Sequence, residues 1–225
     1  MEILYEDNHL IAVNKLAGEI VQGDSTGDEP LVERVKKYIK KKYNKPGEVF
    51  LGVVHRIDRP VSGVVIFART SKALSRMNKL IQEREIKKIY WALVKDLPEK
   101  DEAELKHYIL KNSEKNKSYA FPKLKSGAKL GILNYKLISS STNYYLLEVD
   151  LKTGRHHQIR CQLAKIGSPI KGDLKYGFPR SNKDGSISLH ARKVEFIHPV
   201  KKEPVTIVAA PPASDPLWKE FENVM

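Results

Sequence analysis

The sequence holds a single cysteine, Cys161, among its 225 residues. One thiol can form neither an internal disulfide nor a cysteine-based zinc cluster, and it fits a reducing cytoplasm. Long hydrophobic runs are missing as well. Nothing approaches the roughly 18 apolar residues that a membrane helix needs, and the opening MEILYEDNHL is not a basic-then-apolar leader. Membrane spanning and secretion are therefore not expected. Acidic residues are in deficit: 27 Asp+Glu stand against 40 Lys+Arg, a formal net charge of +13. That balance points to a polyanionic partner, most simply nucleic acid, because Lys and Arg contacts to phosphates dominate such binding. There is no phosphate-cradling GxxxxGK[ST], no GxGxxG, no HExxH and no GxSxG elbow around Ser62. ATP, NAD, zinc-hydrolase and serine-hydrolase chemistry thus lack support. With no internal repeat, low-complexity tract or evident linker, residues 1–225 are expected to form one domain.

The chemistry that is present centres on Leu51–Thr70, LGVVHRIDRPVSGVVIFART. Apolar runs Val49–Val54 and Val64–Phe67 read as buried strands. They flank a polar insert of His55, Arg56, Asp58, Arg59, Pro60, Ser62 and Gly63. The insert places one carboxylate, Asp58, between two guanidinium groups, which favour its charged form. An ionised, held carboxylate is what a nucleophile or a base requires. The same residues also suit an ordinary loop ion pair, and both readings stand at this point.

Around this stretch, Glu2–Lys15 reads as a hairpin turning at Glu6-Asp7-Asn8, and Ala17–Pro30 as a loop. Leu31, Val35, Tyr38 and Ile39 recur at helical spacing with lysines between them, predicting an amphipathic helix with a basic outer face. Ser71 is placed as the cap of a second helix running to about Arg84. Ile86–Val94 follows as a strand, with Tyr90, Ala92 and Val94 on one face and Trp91 and Leu93 on the other. Glu104–Ala120 is polar and basic, and is expected to hold a strand and a mobile connection. Gly131–Ile138 and Tyr144–Leu151 form a hairpin. Thr153 is placed as the cap of a third helix through GRHHQIRCQLAKIG, closed by Gly167. In such a helix the neighbouring His156 and His157 do not face each other, so no metal is expected there. Ser168–Gly177 is a loop, Ile187–Ile197 and Val205–Ala209 are strands, and Asp215–Val224 is a closing helix. The sum is an α+β fold with a mostly antiparallel or mixed β-sheet and flanking helices.

Five segments in this order resemble the RluA-type RNA pseudouridine synthases: ILYEDNHLIAVNKLAG, HRIDRPVSGVVIFART, KKIYWALV, LKTGRHHQIRCQLAKIGSPIKGDLKYG and LHARKVEFIHP. The resemblance adds a central RNA-binding cleft to the α+β fold and implies isomerisation of uridine to pseudouridine in ribosomal or transfer RNA, on a nucleotide flipped into that cleft, with no cofactor and no metal. It places Asp58 at the catalytic carboxylate, Tyr90 at the active-site aromatic and Arg160 at the arginine that pairs with the carboxylate. It matches Arg56 to an arginine that fills the space left by the flipped base. Arg59, Arg155 and His157 join it as expected RNA contacts. Departures are Val61 for a usual Thr, Gln162 for a frequent His and Leu16 for a usual Pro. The first motif starts near Ile3, so no separate N-terminal RNA-binding domain is expected, and RNA affinity falls to the basic surface. Target choice is assigned to the loops Ala17–Pro30 and Lys111–Lys129. A monomer is expected. Two rivals remain: a non-catalytic RNA-binding protein on the same fold, and a nuclease, which would need a cluster of carboxylates to hold metal.

Overall fold

A computed structural model describes residues 1–23 and 27–221. In chain order its elements are β1 (Glu2–Glu6), β2 (Leu10–Lys15), α1 (Leu31–Lys42), β3 (Gly52–Val53), β4 (Ser62–Ala68), α2 (Ser71–Gln82), β5 (Lys87–Val94), β6 (Glu102–Asn112), β7 (Lys117–Phe121), β8 (Lys129–Ser140), β9 (Tyr145–Leu151), α3 (Gln158–Lys165), β10 (Leu189–Ile197), β11 (Pro204–Val208) and α4 (Pro216–Lys219), with a 3₁₀ turn at Leu174–Tyr176. The strands form one 11-stranded sheet, ordered β1-β2-β4-β10-β5-β9-β8-β6-β7, with β3 beside β4 and β11 beside β10. The described pairs are antiparallel except β4–β10, which run parallel at Ser62↔His190 and Gly63↔Ala191. This is the expected α+β architecture with a mixed sheet.

β4 is buried along all of its length, as expected for an apolar strand covered on both faces. Val65 and Phe67 join one core cluster with the apolar stripe of α1, namely Leu31, Val32, Val35 and Ile39. Val64, Ile66 and Ala68 join a second with Ala73 and Met77 of α2. Alternation on β5 also follows the period of two: Tyr90, Ala92 and Val94 enter the first cluster, while Trp91 and Leu93 pack on Leu217, Trp218 and Phe221. At Gly63 the chain turns through φ +117, and a Cβ would stand 2.3 Å from the Ala191 carbonyl oxygen. Only glycine lets the parallel strands approach there.

Several local expectations are corrected. The strand foreseen over Val49–Val54 shrinks to Gly52–Val53, the residues in register with Ala68 and Phe67 of β4; Ser62 and Gly63 belong to β4 rather than to the loop. Thr70, not Ser71, caps α2, its side chain accepting the Ala73 N–H at 3.1 Å. Glu104–Ala120 holds the expected strand, but in place of a connection β6 and β7 form a hairpin turning at Asn116 with φ 42, so Lys111–Lys129 holds β7, the adjoining ends of β6 and β8 and the turns between them. The Ala17–Pro30 loop is irregular where described, and its residues 24–26 lie outside the described residues. The closing helix is shorter than expected, and residues 222–224 of that expectation lie outside the described residues too.

Candidate active site

The loop between β3 and β4 is fixed by its backbone. Asp58 C=O accepts the Val61 N–H at 3.0 Å, closing a tight turn, while Arg59 C=O accepts from Gly18 N at 2.8 Å and Pro60 C=O from Ile187 N at 3.1 Å. Beneath it lies Lys15, fully buried at the end of β2. Its ammonium donates to the carbonyls of Leu16, Arg59 and Val61 at 2.9, 3.0 and 2.7 Å. Three donors meet three acceptors, which is what makes an interior lysine tolerable; burial still pulls its pKa down to about 8. Ile57 and Val61 anchor in the core on either side of Asp58, so the carboxylate is held up into open space.

The partner of that carboxylate comes from α3. Thr153 does not cap this helix. Its hydroxyl accepts the Ile132 N–H at 2.8 Å and donates to Gln158 Oε1 at 2.8 Å. The helix starts at Gln158, behind His157 in the left-handed conformation with φ 51. Arg160 is buried and gives three bonds: Nε to Asp173 Oδ2 at 2.7 Å, Nη2 to Asp173 Oδ1 at 2.9 Å and Nη1 to Asp58 Oδ2 at 3.0 Å. Burial works against the arginine's charge, but the two carboxylates outweigh it and raise its pKa. His157 Nε2 stands 3.5 Å from the same Asp58 oxygen. Asp58 Oδ1 has no hydrogen-bond partner among the described residues.

The guanidinium groups expected to flank Asp58 do not. Arg59 turns outward to Asp28, at 2.6 Å and about half exposed, where a pair contributes little. Arg56 is exposed at the cleft. Successive loop side chains diverge, and the cation that reaches Asp58 lies 102 residues away in sequence. His156 and His157 also differ from expectation: they precede the helix, and their rings stack at 3.8 Å. His156 Nδ1 meets Ser118 Oγ at 2.8 Å and its Nε2 meets Asn116 Oδ1 at 3.1 Å.

Asp58 sits in a cleft of about 1160 Å³. Nine Lys and Arg residues line it, and Asp58 is the one acidic residue among the described lining. Tyr90 forms part of its wall; burial first, then the charge of Asp58, push its phenol pKa upward, so it stays neutral. Two residues earlier on the same strand face stands Lys88, without an acidic partner among the described residues; burial lowers its pKa. Arg155 lines the cleft with its Nε donating to the Leu130 carbonyl at 3.0 Å. The structure thus brings Asp58, Arg160, His157 and Tyr90 to one cleft, with Arg56, Arg59 and Arg155 on its walls. Sequence reasoning missed Lys15, Lys88, Asp173 and Tyr176. The signal for Asp173 was available: a buried arginine needs more than one half-exposed carboxylate, and Asp173 is the only acid of SPIKGDLKYG.

Known proteins similar to this chain are of one kind. The family described as RNA pseudouridylate synthase matches residues 9–165. The ribosomal large subunit pseudouridine synthase C of Buchnera aphidicola subsp. Schizaphis graminum is 35% identical over 230 residues, covering 99% of this chain and 69% of that one. The tRNA pseudouridine synthase C of Vibrio cholerae is 31% identical over 237 residues, covering 97% and 93%. An uncharacterized RNA pseudouridine synthase of Synechocystis is 30% identical, and the chain spans 66% of its length. The solved structure of human RNA pseudouridylate synthase domain containing 4 superposes with a TM-score of 0.79 at 22% identity over 95% of this chain and 89% of that one, a likeness of fold.

Proposed function

We propose, from the premise that this chain belongs to the RNA pseudouridylate synthase family, that it isomerises uridine in ribosomal or transfer RNA with Asp58 as its catalytic carboxylate. Members of that family are isomerases acting on RNA. One observation carries the assignment of the site: Asp58 is the single acid among the described lining of a cleft with nine basic residues, and Arg160 engages one of its oxygens while the other has no partner among the described residues. A carboxylate so held attacks or takes a proton without reorganising. The target nucleotide leaves its stack and lies against Tyr90, as flipped bases lie against aromatic walls. Asp58 then assists cleavage of the glycosidic bond, acting on the sugar carbon or on its 2′ side; the uracil rotates, and its carbon 5 joins the ribose. Arg160 holds the carboxylate, and Arg56 fills the gap in the stack. Arg59, Arg155 and Lys88 meet phosphates, which position RNA without reading its sequence. His157 completes the floor of the cleft.

The two target classes are those named for the Buchnera and Vibrio relatives. Residues 1–225 act in this proposal as one catalytic domain, as a monomer in the cytoplasm. Its support is a continuous sheet and the fact that no helix among the described residues is long and apolar enough to cross a membrane. The test is incubation of the purified protein with unmodified ribosomal and transfer RNA, read by carbodiimide mapping of pseudouridine. Appearance of pseudouridine at discrete sites, lost in Asp58→Asn while RNA binding persists, supports the proposal. Binding with no conversion of either RNA overturns it.

A further inference from the structure

Tyr176 lies in the 3₁₀ turn after α3, buried and outside the cleft lining, yet it supports both groups that touch Asp58. Its ring lies under the Arg160 guanidinium, 5.0 Å from centroid to Cζ, within cation–π range. Its hydroxyl accepts the backbone N–H of Ser118 at 2.8 Å and meets His157 Nδ1 at 2.9 Å. A phenol has one proton to give. The hydroxyl has no partner among the described residues other than the Ser118 N–H and the imidazole Nδ1, so Nδ1 is the acceptor for that proton.

The consequence for His157 follows from bond counting. Burial, then the charge of Arg160, pull its pKa down to about 2, so the ring is neutral and carries one N–H. With Nδ1 accepting from Tyr176, that hydrogen sits on Nε2, the nitrogen 3.5 Å from Asp58 Oδ2. Arg160 Nη1 and His157 Nε2 both face Oδ2, which leaves Oδ1 as the oxygen turned to substrate. We infer that the Tyr176 hydroxyl is a positioning group: it fixes His157 as the Nε2–H tautomer, which together with Arg160 selects Oδ1 of Asp58 for reaction. β7 enters the same chain of contacts through Ser118, so the β6–β7 hairpin sets the orientation of the catalytic carboxylate. The inference rests on Asp58 being the reacting group.

Tyr176→Phe removes the hydroxyl and keeps the ring under Arg160. Its kcat on a uridine transcript should fall about tenfold, with KM changed less than twofold, since orientation is lost and RNA contacts are kept. Nitrogen-15 spectra of the histidine rings give a readout that loss of packing alone would not move. In the parent protein His157 should show an unprotonated Nδ1, and in Tyr176→Phe a mixture of tautomers. In a His157→Gln background, whose amide presents a donor to Asp58 without help from Tyr176, adding Tyr176→Phe should cost no further kcat. A folded Tyr176→Phe protein with the parent's kcat, or with an unchanged His157 tautomer, overturns the inference. So does an equal loss of kcat in both backgrounds. If the parent converts no uridine, the functional proposal fails, while the tautomer spectra still decide the role of Tyr176.

Discussion

Arg160 joins two regions of the molecule that differ in how they treat a carboxylate. In the turn after α3, Asp173 is 1% exposed and each of its oxygens takes one guanidinium bond. In the loop before β4, the Asp58 side chain is 29% exposed and receives one bond, on one oxygen. The same cation saturates one acid and only steadies the other. What makes a carboxylate available for chemistry is therefore the lone pairs left unfilled and the side left open.

Asp58→Asn breaks the open side of this comparison and has the largest expected effect. Conversion should fall by about 10³-fold or more, with RNA affinity kept, as pseudouridine mapping and a filter-binding titration would show. Retained activity would remove Asp58 from the site. Asp173→Ala breaks the saturated side and strands a buried guanidinium. Denaturant unfolding should show a loss of about 3–5 kcal/mol, whereas Asp58→Ala should cost less than about 1 kcal/mol, its side chain being partly open to solvent. Equal costs at the two positions would erase the distinction.

A third aspartate sharpens the rule on stability alone. Burial would raise the pKa of Asp7, but the N–H groups of His9 and Leu10, together with Lys201 and Tyr5, hold it well below the usual carboxylate range. A depressed folded-state pKa contributes stability that is full above the unfolded value, near 4, and is lost as pH falls through the folded value. Asp7→Asn should therefore lower the melting temperature at pH 7 and have progressively less effect as the pH is taken below about 4. The smallest expected effect extends the comparison to cations. Lys15 spends its three donors on carbonyls, whereas Lys88 has no acidic partner among the described residues. Lys88→Met should weaken RNA binding a few-fold and reduce the salt dependence by roughly one phosphate contact. An unchanged salt slope would place Lys88 off the RNA path.

Much of this was legible in the sequence because it is periodic or punctuated. Alternation on β5 places Tyr90 in the first core and Trp91 against α4, and the stripe of α1 needs no tertiary knowledge. Asp58 stood out as a lone acid in a loop between apolar runs. Its true partners were not legible. Arg56 and Arg59 are its neighbours in sequence, but a loop sends adjacent side chains in different directions, and Arg160 arrives only through the fold. Tyr176 and Asp173 were hidden for a related reason: they lie in an irregular stretch whose polar residues look solvated until α3 covers them. The β6–β7 hairpin was missed because its lysines and glutamates mask the alternation that its buried face, Leu105, Ile109 and Ala120, obeys.

The place of β10 in the sheet carries a consequence for synthesis. β1, β2 and β4, with the Asp58 loop, form one half of the sheet; β5, with Tyr90, begins the other; the hydrogen bonds that join the halves run through Leu189–Ile197. A nascent chain emerging from the ribosome has made Asp58, Tyr90 and Arg160 long before it makes this strand. It cannot clasp them into one cleft until residue 197 is free. On the proposed function, the late strand that closes the sheet is also the one that completes the cleft for the uridine.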